Sequence, residues 1–533
     1  MREQHENKFV WAIAGVGLFI IFSLSCFNDG LTGAGDYVFL INRLQQIRDC
    51  FENGLYPFLY YEDAGGIGYG SPIFYGQLTL FPFLPLADDS SAFLRAYLLC
   101  CLVLNFCGFR CFLKRISSYA TLGTCFYIFS MPFVGIFACN LPAFALAVGF
   151  SWFFFAYCID FFRDGQSFYL LILTYFMIWQ SNFNTTVLST LVCFGIFCVY
   201  FKRERVLDYV KLFLFVFVLI LYNLVNIVVH KDAIAPMSAD VMLSTIVWGS
   251  DYRVMSNAPI GSHLLRLSVD WADCHTGFLN FGAFGVFLYY VTHYIKTQSK
   301  RFLVCSGIIG VALVVGYAVG MPQVWPEFYR ATNLFFQFPI RYYIILFGFT
   351  LAVLARVIRP NRWVYAILVF CILDIAIVNP FKSEVSTRIE YVGLQLANSE
   401  YASADFIRDY DTYLEYCDSV HSERGYSYDF ERSYNEVRVD CSSNVSGDVL
   451  TLPKLYYNGY RATGSDGETF TVRGGYSNYC EVDIDDYQGV LTLRYQVPGV
   501  VLFFFYIQLM CIASILYRIT KLYIVPKIRM LRK

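Results

Sequence analysis

Residues 28–86 read NDGLTGAGDYVFLINRLQQIRDCFENGLYPFLYYEDAGGIGYGSPIFYGQLTLFPFLPL. The stretch follows an apolar run at 9–27 and is too polar and too rich in glycine to be a further bilayer crossing, although the chain around it is built of such runs. Within it, Asp36 is followed by Tyr37, Leu40, Ile41, Leu44 and Ile47, the three- and four-residue spacing of a helix lying against an apolar surface. The expectation is a loop (28–89) outside the membrane whose helix carries Asp36 to an outward-facing cavity.

Composition supports the membrane class. The 533 residues are 57% hydrophobic and 15% charged, and the net charge of -1 points to no nucleic-acid partner. Apolar runs at about 9–27, 90–113, 118–137, 141–162, 167–181, 183–201, 209–230, 276–295, 302–320, 335–357, 363–379 and 499–517 predict about twelve crossings. The run at 9–27 is longer than the apolar core of a signal peptide and no Ala-x-Ala-like site follows, so it is expected to stay as a transmembrane helix. Most of the 18 cysteines, Cys100, Cys101, Cys107, Cys193 and Cys371 among them, lie inside apolar runs, where they act as small hydrophobes.

The cations set the orientation. Arg2 and Lys8, Lys114 and Arg115, Arg163, Lys202, Arg203 and Arg205, Lys296, Lys300 and Arg301, Arg356, Arg359 and Arg362, and finally Lys521, Lys527, Arg529, Arg532 and Lys533 fall on alternate connections. That is the positive-inside pattern, and it predicts a multi-pass cell-membrane protein with both termini cytoplasmic. Counting Pro72–Leu86 as a crossing would invert every later loop. It is therefore expected to be a short external interfacial or re-entrant segment, in keeping with Pro82 and Pro85.

The chain is then expected to divide into a transmembrane part (1–379), an extracytoplasmic module (380–498), and a last transmembrane helix with a basic tail (499–533). In the module, an amphipathic helix is expected over 383–416. Alternating runs NEVRVDC, GETFTVRGG, YCEVDID and GVLTLRYQV, separated by turn residues, predict a small β domain. Cys417, Cys441 and Cys480 lie there as an odd set, expected to stay as thiols. The runs 167–181 and 183–201, joined by Gln180–Asn184, could form a hairpin shorter than the bilayer.

Several residues could carry chemistry. Asp36 could hold a divalent cation or polarise an acceptor hydroxyl, or could simply start its helix. Asp29, Glu62 and Asp63 are neighbours better explained as solvated charges. The glycines of Ala64–Pro72 do not make a Walker motif; they offer tight turns and close backbone approach. Arg341, at the outer start of an apolar run, could grip a phosphate or snorkel to headgroups. Arg253, Arg266, Arg330 and Lys231 are further external cations. His263 and His275 flank Asp270, Trp271 and Asp273, a weak metal signal. Tyr69, Phe74, Tyr75 and Trp325 could stack on a sugar. Asn444-Val445-Ser446 is read as a chance match to a glycosylation acceptor.

Taken together, Asp36 after the first span, the amphipathic stretch ending in Arg43, Gly-Tyr-Gly-Ser-Pro-Ile-Phe-Tyr at 68–75, Gln-Phe-Pro-Ile-Arg at 337–341 and Leu452–Ala462 before a β run and a last crossing resemble the bacterial YfhO-like membrane proteins of the GT-C glycosyltransferase superfamily. The resemblance implies a mainly α, polytopic GT-C-like helical bundle with a small extracytoplasmic β domain near the C-terminus. It implies transfer of a sugar from a polyprenyl-phosphate donor to a glycan or lipid acceptor at the outer face of the bilayer. Asp36 would be the catalytic carboxylate or the ligand of a divalent metal, Mg or Mn. Arg341, with Arg43, Tyr69, Arg330, Arg253, Arg266 and His263, would bind substrate. Leu40 is a departure, since relatives often carry His there. The competing class is a non-catalytic transporter, flippase or assembly protein for lipid-linked glycans.

Overall fold

The computed structural model describes residues 8–26, 35–62, 66, 68, 70–130, 133–134, 142–231, 340–355, 360–378, 416, 418–444 and 447–531. Helices dominate: α1 (Lys8–Cys26), α2 (Gly35–Glu52), α3 (Ser71–Phe74), α4 (Ser90–Leu113), α5 (Ala120–Ile128), α6 (Pro142–Asp164), α7 (Phe168–Ser181), α8 (Phe183–Tyr200), α9 (Val206–Val229), α10 (Ile340–Ala355) and α11 (Arg362–Val378). Among the described residues nine short strands, then α12 (Gly499–Ile519) and α13 (Val525–Leu531), follow.

Among the described residues, six helical segments are long and apolar enough to cross a membrane: Lys8–Cys26, Ser90–Leu113, Pro142–Asp164, Phe183–Tyr200, Arg203–Val229 and Gly499–Ile524. The apolar run expected at 118–137 is helical as α5 over nine residues. Those at 276–295 and 302–320 lie outside the described residues. Pro72–Leu86 is not one continuous helix: it holds the four-residue α3 and a 3-10 turn at Phe81–Leu86, where the prolines deny the backbone donors a longer helix needs.

The chain forms two compact units, Met1–Ile41 with Asp88–Leu212 and Ala239–Arg388, and Asn42–Ala87 with Phe213–Ser238 and Ile389–Lys533. In the first, α4 packs on α6, and α6 on α7 and α8. Its core is aromatic: Trp152 is fully buried and donates to the Tyr127 hydroxyl at 3.0 Å, Phe109 stacks on Tyr127, and Asn105 donates to the carbonyls of Cys101 and Ala145. The amide lets a polar side chain sit between apolar helices with its donors satisfied.

The fourteen-residue α7 spans about 21 Å, less than the ~30 Å hydrocarbon core. The turn after it is capped by Asn182, whose Oδ1 accepts from the Thr185 amide at 2.9 Å. Only this first arm is short: the second, α8, is among the helices long and apolar enough to cross, so the expected hairpin shorter than the bilayer holds for α7 alone. Three cation-bearing connections meet at one end of the unit: Arg115 pairs with Asp160 at 2.6 Å, Lys202 donates to the Arg163 carbonyl, and Arg205 donates to the Phe161 carbonyl.

The second unit contains the β module, of two antiparallel sheets. One has the order β1 (His421–Ser422), β4 (Val449–Leu455), β8 (Tyr479–Asp483), β7 (Val472–Gly474). The other runs β2 (Phe430–Ser433), β3 (Glu436–Asp440), β9 (Val490–Tyr495), β5 (Tyr460–Gly464), β6 (Thr469–Phe470). The alternation that predicted strands is the alternation of burial: Val437, Val439, Leu491 and Leu493 are inside, as are Leu450, Leu452, Cys480 and Val482. Cys441 and Cys480 are buried thiols. The helix expected at 383–416 falls outside the described residues, apart from Tyr416, which is helical.

Candidate functional site: the docked first loop

Within the second unit the first loop is not a free connector; it is fastened to the β module. Gly66 and Gly68 have φ of +86° and +84°, conformations that side chains rarely adopt. A methyl on Gly66 would lie 2.8 Å from the Arg432 guanidinium carbon of β2, and one on Gly70 would lie 2.4 Å from the Tyr457 ring. At Gly68 it would lie 3.5 Å from the loop's own Tyr60 carbonyl and 3.6 Å from the Tyr460 hydroxyl of β5. Every second residue of the Gly-x-Gly-x-Gly run thus faces one large side chain of the module. The Tyr457 hydroxyl also accepts from the Gly70 amide at 2.9 Å. The close approach expected of these glycines is made to protein side chains.

Lys454 completes the fastening. The pairing of β4 with β8 shifts register between Leu452 and Leu455, and Lys454 lies in that irregularity. Its side chain is buried, and Nζ donates to the carbonyls of Tyr61 at 3.2 Å and Gly66 at 2.5 Å. Burial lowers its pKa to about 8, against the pull of the Glu62 carboxylate and with the help of Arg432. Nearby, the Tyr434 hydroxyl donates to Cys50 Sγ at 3.1 Å, while burial pushes the Cys50 thiol up to about 12, so it is no nucleophile at neutral pH.

The helix α2 buries Tyr37, Leu40, Leu44 and Ile47, the face expected from their spacing. Arg43 is also buried. Its Nη2 donates to the Gly76 carbonyl at 2.8 Å, and its guanidinium carbon stands 4.9 Å from the Tyr75 ring centroid. The neighbouring Gln77 donates to the Pro57 carbonyl at 2.7 Å. The amide oxygens of Gln77 and of Gln46, one turn on from Arg43, and the Ser71 hydroxyl are buried without a hydrogen-bond partner among the described residues. Each such group costs about 1–3 kcal/mol, which a ligand bearing hydroxyl donors would relieve.

A polar seam supports the loop from below. Asn223, Asn226 and His230, spaced three and four apart on and just beyond α9, are buried. Gln508 of α12 donates to the Leu219 carbonyl at 2.8 Å and Asn223 Oδ1 at 3.0 Å, and Asn226 donates to the Ile73 carbonyl at 3.3 Å. His230 has Nδ1 2.9 Å from the Asn226 carbonyl and Nε2 3.0 Å from the Asn458 carbonyl, with the Tyr495 hydroxyl 3.3 Å from Nε2. Burial lowers the imidazole pKa, although both carbonyls favour its protonated form. Phe505 of α12 packs on Tyr56, Phe58 and Tyr222. Composition hid this seam, because Asn223 and Asn226 in α9, with His230 just beyond it, do not stop the segment from reading as a span. The signal was their helical spacing.

Of the residues expected at a site, Arg43 is placed as above. Asp36 lies in the first turn of α2, one residue past the helix start, where the helix dipole favours a carboxylate. Arg341 lies in the first turn of α10. The side chains of these two, and Tyr69, Arg253, His263, Arg266 and Arg330 altogether, lie outside what is described. Asn444 is buried and donates to the carbonyls of Asp485 and Tyr487. Among the described residues no three His, Cys, Asp or Glu side chains come together in a way that could hold a metal ion. Set beside protein-family models, curated proteins and solved structures, the chain matches none of them.

Proposed function

We propose that the protein is an integral-membrane glycosyltransferase of about twelve crossings, GT-C-like in plan. It moves a sugar from a polyprenyl-phosphate donor to an envelope glycan or lipid acceptor at the outer face of the cell membrane, with both termini cytoplasmic and residues 380–498 outside. The observation that supports it is the buried Arg43 guanidinium, bonded to the Gly76 carbonyl, with the amide oxygens of Gln46, one turn on, and Gln77, the residue after Gly76, left without a hydrogen-bond partner among the described residues. A cation next to acceptors suits a ligand carrying both an anionic phosphate and hydroxyl donors.

In this reading the Asp36 carboxylate takes the proton from the acceptor hydroxyl as that oxygen bonds to the anomeric carbon. The bond from anomeric carbon to phosphate oxygen breaks, and the electron pair leaves with the polyprenyl phosphate. Arg43 and Arg341 offset the charge on the leaving phosphate.

The test is transfer of labelled sugar from a polyprenyl-phosphate donor by the purified protein in lipid nanodiscs. Asp36→Asn should abolish transfer at unchanged membrane yield, and equal activity in that variant would remove Asp36 from the mechanism. Movement of the lipid across vesicles without transfer would place the protein among flippases.

A further inference from the structure

A different part of the second unit holds a strained turn that lifts an aromatic ring into solvent. In the turn between β7 and β8, Ser477 and Asn478 have φ of 48° and 62°, two consecutive non-glycine residues in the left-handed region. The turn is held in several ways. Gly475 N donates to the Tyr479 carbonyl and Asn478 N to the Gly475 carbonyl, both at 2.9 Å, and the Asn478 side chain reaches the Tyr456 carbonyl at 3.2 Å. Glu481 Oε1 accepts from the Tyr476 amide at 3.0 Å. The Glu481 carboxyl carbon occupies the place beside Gly475 where a Cβ would come within 1.7 Å of it. Strained backbone that the surroundings over-determine marks positions kept for more than stability. What this turn delivers is Tyr476, 51% exposed.

The ring has company. Tyr416 stands 5.6 Å from Tyr476 at 31°, 5.6 Å from Tyr479 at 28°, and 3.8 Å from His421 at 19°. Strand register adds polar groups. His421 pairs with Thr451, Thr451 with Glu481, and Glu481 with Arg473, so these four lie in one row on one face of the sheet. Arg473 and Glu481 form an ion pair at 3.2 Å and are partly open to solvent.

We propose that this face of the β module binds a neutral carbohydrate chain, with a pyranose ring laid on Tyr476 and Tyr416 and its hydroxyls meeting Arg473 and Glu481. A sugar ring has an apolar C–H face and a rim of donors and acceptors, and neighbouring tyrosines inclined at 31° beside a charged pair match both. Glu481 and Asp483, two residues apart on β8 and so on the same face, oppose a polyanion. The proposal does not rest on transfer activity.

The experiment uses the full chain in nanodiscs with cellohexaose, chitohexaose and maltohexaose as probes, read by saturation-transfer NMR and by titration. At least one should bind. Tyr476→Ala should weaken that binding about tenfold while Tyr476→Trp keeps it. Because Tyr476 is exposed, the unfolding midpoint of Tyr476→Ala should match the wild type, which separates lost binding from lost folding. Absence of binding to all three probes at millimolar concentration, or equal binding by Tyr476→Ala, overturns the proposal.

Discussion

Lys454 Nζ and the Gly66 carbonyl are 2.5 Å apart in space and 388 residues apart in sequence. A buried ammonium is costly unless its donors are used, and here two are used to fix the path of the glycine-rich loop. Its charge state therefore enters the stability of the second unit.

The folded pKa of about 8 lies below the value of about 10.4 for a free lysine, so above pH 8 the unfolded chain binds more protons than the folded one. Stability from this group rises with pH from about 8, and below that its burden is complete, of order 3 kcal/mol. Cys50, whose folded pKa is raised, acts in the opposite direction above about pH 9. The clean comparison is thermal unfolding at pH 7.5 and 9 of wild type against Lys454→Met. The wild type should gain relative to the variant, and parallel behaviour would sink the account.

The loop glycines make a steric prediction. Gly70→Ala drives a methyl into the Tyr457 ring and should destabilise the unit by about 1–3 kcal/mol, whereas Tyr457→Phe removes one hydrogen bond and should cost about 1 kcal/mol. Protease cleavage within 61–70 should rise more in the first variant than in the second. The reverse order would mean that ring contact is not what holds the loop.

His230 gives a second pH dependence. Its folded pKa is lowered, so its contribution is full above the free value of about 6.5 and is lost as pH falls through the folded value. The charged groups it meets are few. Lys231 follows it on the chain and is exposed, while Tyr495 and the Asn458 carbonyl face it from the module. Acidification from pH 7 to 5 should lower the unfolding midpoint of the wild type more than that of His230→Gln.

Gln508→Leu tests the seam inside the membrane-spanning helices. The variant loses the bonds to Leu219 and Asn223, and its cost in a detergent-unfolding titration should be about 0.6–1.7 kcal/mol. No change would show that Asn223 finds another partner.

Sequence alone carried the local features well. The alternating runs became β3, β6 to β9, the spacing after Asp36 became the buried face of α2 with Ile41 at its margin, and Pro82 and Pro85 fall in a short 3-10 segment. Pairing over hundreds of residues was not legible, because period and propensity act over a few turns. The glycines at 66, 68 and 70 announced close approach but not its partners, Arg432, Tyr460 and Tyr457. Nothing in the sequence marked Lys454 for burial, and the register shift beside it is visible only in the structure. Asn226 and His230 were hidden by the hydropathy of their neighbours.

The 388-residue separation between Gly66 and Lys454 also dictates a timetable of manufacture. At a ribosomal pace of about 5–20 residues per second, roughly 20–80 s pass after the glycine-rich segment is made before its lysine exists. For that interval the nascent chain must keep this segment from premature partners, so the assembly of the second unit is a late event that awaits the final third of the polypeptide.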